Sequence, residues 1–151
     1  MKIVIVGAGA VGTHLSKLLS REHRDCVLID DDEERLRALS EYDVMTYHAS
    51  PTSIKALKEA GTQHADLFVG VTPEETTNLT ACMIAHSLGA KKTVARIDNF
   101  EYLDPTRKEL FDKMGINSLI FPEVLAAIDI TNGLKMSWVR QRWDVNEGDL
   151  V

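Results

Sequence analysis

This sequence has few of the features that would mark a membrane, secreted or metal-binding protein. It has no run of 18 apolar residues, so no segment reads as a membrane span. The apolar stretch 3–6 is too short for a signal-peptide core and runs directly into glycine. There are two cysteines, Cys26 and Cys82, both inside apolar runs and without metal-ligand spacing. They read as buried thiols of a reducing cytoplasm and not as a disulfide. Positive charge is also short. Against 23 Asp and Glu stand 17 Lys and Arg, for a net charge of −6. That balance opposes binding to nucleic acid or to an anionic membrane surface. His14, His23, His64 and His86 are scattered and suggest surface positions, not a metal site. No Ser/His/Asp or Cys/His arrangement can be argued, so no nucleophile is indicated. The 151 residues suffice for one domain with a full core, and not for two substantial ones.

What is present is regular alternation. Continuous apolar, β-rich runs fall at 2–6, 26–30, 44–47, 67–71, 93–97 and 118–121. Runs of this kind predict strands covered on both faces, as in a parallel sheet. Helical patterns separate them at 11–21, 33–41, 52–60, 75–88, 100–114 and 123–137. Six strands with helical crossovers predict an α/β fold with a doubly wound, six-stranded parallel sheet of the Rossmann type. Gly61, Gly89 and Gly115 each fall just past a helix, where a left-handed cap is wanted. Ser50-Pro51, Thr72-Pro73 and Asp104-Pro105 each put a capping side chain before a proline at the first helical position. Thr72 with Glu75 fits a capping box. Pro105 predicts that the fifth helix is a short turn followed by a helix.

The chemistry concentrates at residues 7–12, GAGAVG, after a strand and opening a helix. Gly7 allows a tight turn, Gly9 lets the backbone approach a pyrophosphate, and Gly12 lets the helix pack against the strand. With Ala8, Ala10 and Val11 these residues form a phosphate turn at a helix N-terminus. Asp30 ends the second strand, 18 residues past Gly12. A carboxylate there accepts hydrogen bonds from the adenosine ribose. It repels a 2′-phosphate, which favours NAD(H) over NADP(H), although Arg35 nearby weakens that argument. Asp31 and Asp32 follow. Helix capping accounts for one of them, and Asp32 also stands where it could face the adenosine.

Other strand ends border the same crevice. His48, Ala49 and Ser50 follow the third strand, on the adenine side, with Ser50 also a candidate cap. Thr72 follows the fourth strand. Arg96 lies near the end of the fifth, facing the phosphates, and an arginine inside that run needs a carboxylate or a ligand anion. No proton-transfer constellation and no substrate domain accompany this site, as a dehydrogenase would need. Two readings stand at this point: a ligand-sensing regulatory domain, or the cofactor domain of an NAD-dependent oxidoreductase lacking its substrate domain. The sixth helix is apolar on several sides, through Val124, Leu125, Ala127, Ile128, Ile130, Leu134 and Met136. It is expected to pack on its own sheet and on a partner chain or following domain. Residues 138–143 read as another strand and 146–151 as a turn. The expected division is a dinucleotide-binding domain over 1–137 and the start of a truncated following domain over 138–151.

The stretches KIVIVGAGAVGTHLSKLL, VLIDDDEERL, YHAS, HADLFVGVT, ETTNLTACMIAHSLGAKKTVARI and MGINSLIFPE run in order over about residues 1–124. Together they resemble the nucleotide-binding (KTN, or RCK N-terminal) domains of Trk-type potassium-uptake regulators. The resemblance implies a non-enzymatic cytoplasmic subunit, peripheral to the inner face of the cell membrane. It would bind NAD(H) or, at the same site, ATP or ADP. It would form a homodimer or higher homo-oligomer and act on a membrane potassium transporter without inserting into the membrane itself. It carries over residues 7–12 as the phosphate turn, Asp30 and Asp32 as ribose acids, and residues 48–50 as the adenine-side turn. Thr72 is placed at the nucleotide and Arg96 near the phosphates. Many members have Gly-Asp where this chain has Tyr47-His48, so its adenine contacts are expected to differ from theirs. Related channel regulators bind a divalent cation through the glutamate after the sixth strand, which matches Glu123. In the family, the helix after that strand is a crossover to a neighbouring subunit.

Overall fold

A computed structural model describes residues 1–22 and 24–121. The predicted crossover helix, Glu123 and the segment 138–151 lie outside the described residues. Within them the chain alternates strand and helix: β1 Lys2–Val6, α1 Ala10–Arg21, β2 Asp25–Asp30, α2 Glu33–Arg37, β3 Met45–His48 and α3 Ile54–Glu59. There follow β4 Leu67–Gly70, α4 Glu75–Leu88, β5 Thr93–Arg96, α5 Lys108–Met114 and β6 Ser118–Ile120. The six strands form one parallel sheet in the order β3-β2-β1-β4-β5-β6. This is the doubly wound sheet expected from the sequence.

The order carries the functional consequence. β1 pairs with β2 on one side (Ile5 beside Leu28) and with β4 on the other (Ile5 beside Val69). The chain winds outward in opposite directions from that junction. Connections leave the carboxyl ends of β1 and β4 to opposite faces, and a crevice opens between them. Successive strand residues point to opposite faces, and each face builds its own core. Ile3, Ile5, Leu28, Val69 and Val94 pack under α1 with Leu15 and Leu19. Val4, Val6, Ile29, Phe68 and Ala95 pack under α3, α4 and α5 with Leu57, Ala81, Cys82 and Phe111.

Two expectations need correction. The third strand is not covered on both faces: Met45, Thr46 and His48 are exposed. β3 is an edge: Thr46 and His48 lie on the face of α2, which is too short to cover them, and Met45 lies on the opposite face. α2 ends at Arg37, where i→i−3 bonds (Leu39 N–H to Leu36 O, Ser40 N–H to Arg37 O) tighten the chain into turns. The capping assignments also shift. α3 is capped by Ser53, whose hydroxyl accepts from Ala56 N–H, while Ser50 closes a turn onto Thr52 N–H. α4 begins at Glu75 behind Glu74, so Thr72 is not its cap, Pro73 is not its first residue, and Glu75 does not complete a box with Thr72. Its carboxylate instead accepts from Asp98 N–H and Asn99 N–H at 2.6 and 2.7 Å and ties α4 to the turn after β5. Asp104 caps as expected, and Pro105 separates a short 3-10 turn at Phe100–Leu103 from α5. Gly61, Gly89 and Gly115 all take positive φ at helix ends.

Candidate functional site

The first wall of the crevice is made by leaving atoms out. Gly7 has φ of +109°, and a Cβ there would lie 2.8 Å from Thr72 N and Val71 C. At Gly12 a Cβ would lie 1.7 Å from the Gly7 carbonyl oxygen, so α1 can start against the turn only as glycine. Gly9 differs: a Cβ there would meet nothing within 4 Å. The space beside Gly9 is open, and Gly9 lines a cleft with Ala8 and Ala10 at the start of α1. An N-terminal helix turn with free space before it suits an anion such as a pyrophosphate.

Asp30 is locked to this turn. Its side chain is buried, and Oδ2 accepts from Ala8 N–H at 2.6 Å. Oδ1 accepts from Asp32 N–H at 2.7 Å, and Arg35 Nη1 lies 3.7 Å from it. The acid and the phosphate turn are therefore one unit, connected across 22 residues of sequence. Asp32 caps α2, accepting from Glu34 N–H at 3.0 Å, and its other oxygen lies 3.5 Å from Arg35 Nε. Asp31 is exposed, and its carbonyl lies 3.0 Å from His48 Nε2. Ala49 N–H donates to Asp30 O, which brings His48, Ala49 and Ser50 alongside the acid.

The second wall is built around a side chain that the motif reading passed over. Asn78 on α4 is fully buried. Its Oδ1 accepts from Thr72 N–H and the Thr72 hydroxyl, both at 2.8 Å. Its Nδ2 donates to Thr72 O and Arg96 O, both at 3.0 Å. All four hydrogen-bonding positions of the amide are filled. This one residue holds the loop after β4 to the end of β5. Arg96 lies on the α1 face by strand alternation, the face of Val94. Its Nε is buried and has no hydrogen-bond partner among the described residues. Arg96 does not line the cleft beside the phosphate turn, but a buried guanidinium nitrogen left without a partner by the described residues, at the carboxyl end of β5, fits an anionic ligand.

An open cleft of about 430 Å³ continues from Ala8, Gly9 and Ala10 along α1. Thr13, His14, Lys17 and Arg35 complete its lining. His14 and Lys17 were not singled out as site residues from sequence. Their spacing of four and seven from Ala10 does put them on its helix face. Neither cysteine belongs to the crevice. Burial pushes the Cys26 thiol up to about 11 and raises Cys82 further, so neither supplies a thiolate near neutral pH. Among the described residues no group of three or more His, Cys, Asp or Glu could hold a metal ion. No helix among them is long and apolar enough to cross a membrane.

The family model described as the TrkA-N domain matches residues 3–122. The Trk system potassium uptake protein TrkA of Haemophilus influenzae is 42% identical over 135 residues, which are 87% of this chain. The chain spans 29% of that relative's length. Among solved structures, the TrkA-N domain of the inner membrane protein ybaL from Escherichia coli superimposes with a TM-score of 0.70 at 18% identity, covering 89% of this chain and 96% of that one. The GsuK channel bound to NAD gives 0.65 at 20%, covering 80% of this chain and 21% of the channel. The same protein bound to ADP gives 0.65 at 18%, with 80% and 31% covered. These structural likenesses agree with the fold, and the sequence match goes further: the chain belongs to the TrkA-N domain family.

Proposed function

We propose that this chain is the nucleotide-sensing domain of a Trk-type potassium-uptake regulator, and that the nucleotide is a signal and not a reactant. The observation that carries the reading is the joined unit of phosphate turn and acid, with space kept open at Gly9 and Asp30 bonded to Ala8 N–H. An adenine nucleotide fits this unit. Its ribose is assigned to Asp30, its phosphates to the α1 N-terminus with Arg96, and its adenine to the side of His48, Ala49 and Ser50. NAD(H) is one ligand, and ATP or ADP are alternatives at the same site. The relatives named as uptake proteins, and the solved likeness bound to NAD or to ADP, support a regulatory reading over an oxidoreductase one.

A regulatory ligand acts only through a difference in affinity between conformations. In this reading the occupied crevice biases the assembly of a homodimer or higher homo-oligomer. That assembly gates a membrane potassium transporter from the cytoplasmic side. The binding role is assigned to residues 1–137, and Glu123 is kept as the candidate ligand for a divalent cation. Calorimetric titration of the chain with NADH, NAD, ATP and ADP tests the reading. NADH and ATP should compete for one site, and the scattering profile should differ between the two liganded states. Simultaneous binding of both, or identical profiles in every state, counts against it. Steady NADH oxidation with a small carbonyl compound would move the chain to the oxidoreductase class.

A further inference from the structure

The cleft beside the phosphate turn bears on which nucleotides the crevice accepts. From the acid alone, a phosphate on the ribose should be repelled. Three features of the site oppose that. The Asp30 carboxylate is not free: each oxygen already accepts a backbone N–H, and Arg35 lies 3.7 Å from Oδ1. The cleft that opens next to it is lined by the cationic Lys17 and Arg35, by His14, and by no carboxylate. Lys17 is set in place by its ammonium lying 5.2 Å from the centroid of the Tyr42 ring, and Arg35 by its contacts with Asp30 and Asp32. These charges come from two separate helices, α1 and α2, and converge on space contiguous with Gly9.

We infer that the cleft between α1 and α2 is a subsite for a terminal phosphate monoester, adjoining the ribose acid. This rests on the reading that an adenine nucleotide occupies the crevice. A dianionic monoester gains two charge-assisted contacts there, while Asp30 keeps its backbone partners and needs no change of protonation. The monoester can be carried in two ways: on the ribose as a 2′-phosphate, or at the end of a 5′-polyphosphate chain that folds back along α1. In either case the crevice discriminates among adenine nucleotides by their outermost phosphate.

Two ligand pairs measured by calorimetry on the whole chain separate these sources. Adenosine 2′,5′-bisphosphate against 5′-AMP reads the ribose phosphate, and ATP against ADP reads the chain phosphate. In the unaltered protein at least one phosphate-bearing member should bind as tightly as its partner or tighter. In Lys17→Ala and in Arg35→Ala that advantage should fall about tenfold. Binding of the partner lacking the phosphate should change less than threefold in Lys17→Ala, which leaves Asp30 untouched. A fall confined to the first pair assigns the subsite to a 2′-phosphate, and a fall confined to the second assigns it to the end of the chain. If both ratios stay the same in both variants, the subsite is overturned while the nucleotide site stands. If none of NADH, NAD, ATP, ADP and AMP binds the unaltered protein, the nucleotide reading itself fails and this inference with it. Both side chains face the cleft and not the core, so circular dichroism should confirm that the variants fold.

Discussion

The two walls of the crevice are built by opposite means. The wall made by β1, α1 and β2 depends on atoms that are absent: Gly7 and Gly12 permit contacts that a single methyl group would prevent. The wall made by β4, α4 and β5 depends on atoms that are present, because one buried amide at Asn78 satisfies Thr72 and Arg96 together. The first kind of wall leaves a spaced pattern of small residues that can be read directly. The second leaves one asparagine inside a helix, a residue type that is unremarked at such a position. A ligand spanning both walls would feel the relative placement of α1 and α4, which is the kind of geometry a sensing domain needs.

The comparison is broken most severely at Gly12. Gly12→Ala places a methyl carbon 1.7 Å from the Gly7 carbonyl oxygen, a clash with backbone and not with a flexible side chain. The expected loss is about 4 kcal/mol, at the upper end for one substitution, or failure to fold. Urea unfolding monitored by circular dichroism measures it. Gly9→Ala sharpens the contrast, since it meets open space. Its stability should stay within about 0.5 kcal/mol of the parent. Its affinity for NADH should drop about tenfold, or about 1.4 kcal/mol, because the methyl group occupies the phosphate space. Equal stability losses at both glycines would remove the distinction between a packing glycine and a ligand glycine.

The second wall gives way at Asn78. Asn78→Ala leaves Thr72 N–H, Thr72 O and Arg96 O without the partner they have now, all at the core edge. Unsatisfied buried groups of this kind cost about 1–3 kcal/mol each, offset where water can enter, so a net loss of about 3 kcal/mol is expected. Hydrogen exchange should locate the added opening at the loop after β4 and the end of β5. Unchanged protection there would show that the network is not what holds the wall.

These contrasts explain what was legible in the sequence. β1 and α4 have the expected ends, because a solid apolar run and a long pattern closed by Gly89 leave little room for alternatives. The parallel, doubly wound sheet follows from the alternation of strands and helices, and residues 7–12 with Asp30 follow from spacing. What was not legible depends on partners distant in sequence. Asn78 acquires its place only when Thr72 and Arg96 arrive around it. The carboxylate of Glu75 spans to Asp98 and Asn99, where local reading assigned it to Thr72. The exposure of Thr46 and His48 on β3 follows from where α2 stops, which the pattern at 38–41 does not mark. His14 and Lys17 are ordinary helix-surface residues until α2 brings Arg35 to face them.

Arg96 tests the junction of the two walls with a smaller effect. Its buried Nε has no hydrogen-bond partner among the described residues, so Arg96→Ala removes a donor that they leave unmet along with a charge, and stability should change by less than about 1 kcal/mol. Binding of ATP should weaken about tenfold, or about 1.4 kcal/mol, and binding of adenosine less than threefold. Arg96→Lys keeps the charge and loses the planar donor array, and should recover part of the ATP affinity. A large stability loss with unchanged ATP affinity would make the arginine a structural residue only.

The smallest effect separates two serines near the exposed edge. Ser53 supplies its hydroxyl to Ala56 N–H, an otherwise unpaired donor in the first turn of α3. Ser53→Ala should therefore cost about 1 kcal/mol of stability, the usual value for a lost N-terminal cap. Ser50 lies three residues earlier, exposed, with its hydroxyl 3.3 Å from Thr52 N and 3.3 Å from Thr52 Oγ1. Those contacts are long and open to water, which can replace them. Ser50→Ala should change stability by no more than about 0.3 kcal/mol, as expected for an exposed site. If the turn at His48, Ala49 and Ser50 does meet the adenine, Ser50→Ala should weaken AMP binding two- to threefold while Ser53→Ala leaves it unchanged. Thermal unfolding and AMP titration on the same two variants measure both quantities. A stability loss at Ser50 equal to that at Ser53 would restore Ser50 as the helix cap, and an AMP affinity indifferent to Ser50 would remove it from the adenine side of the crevice.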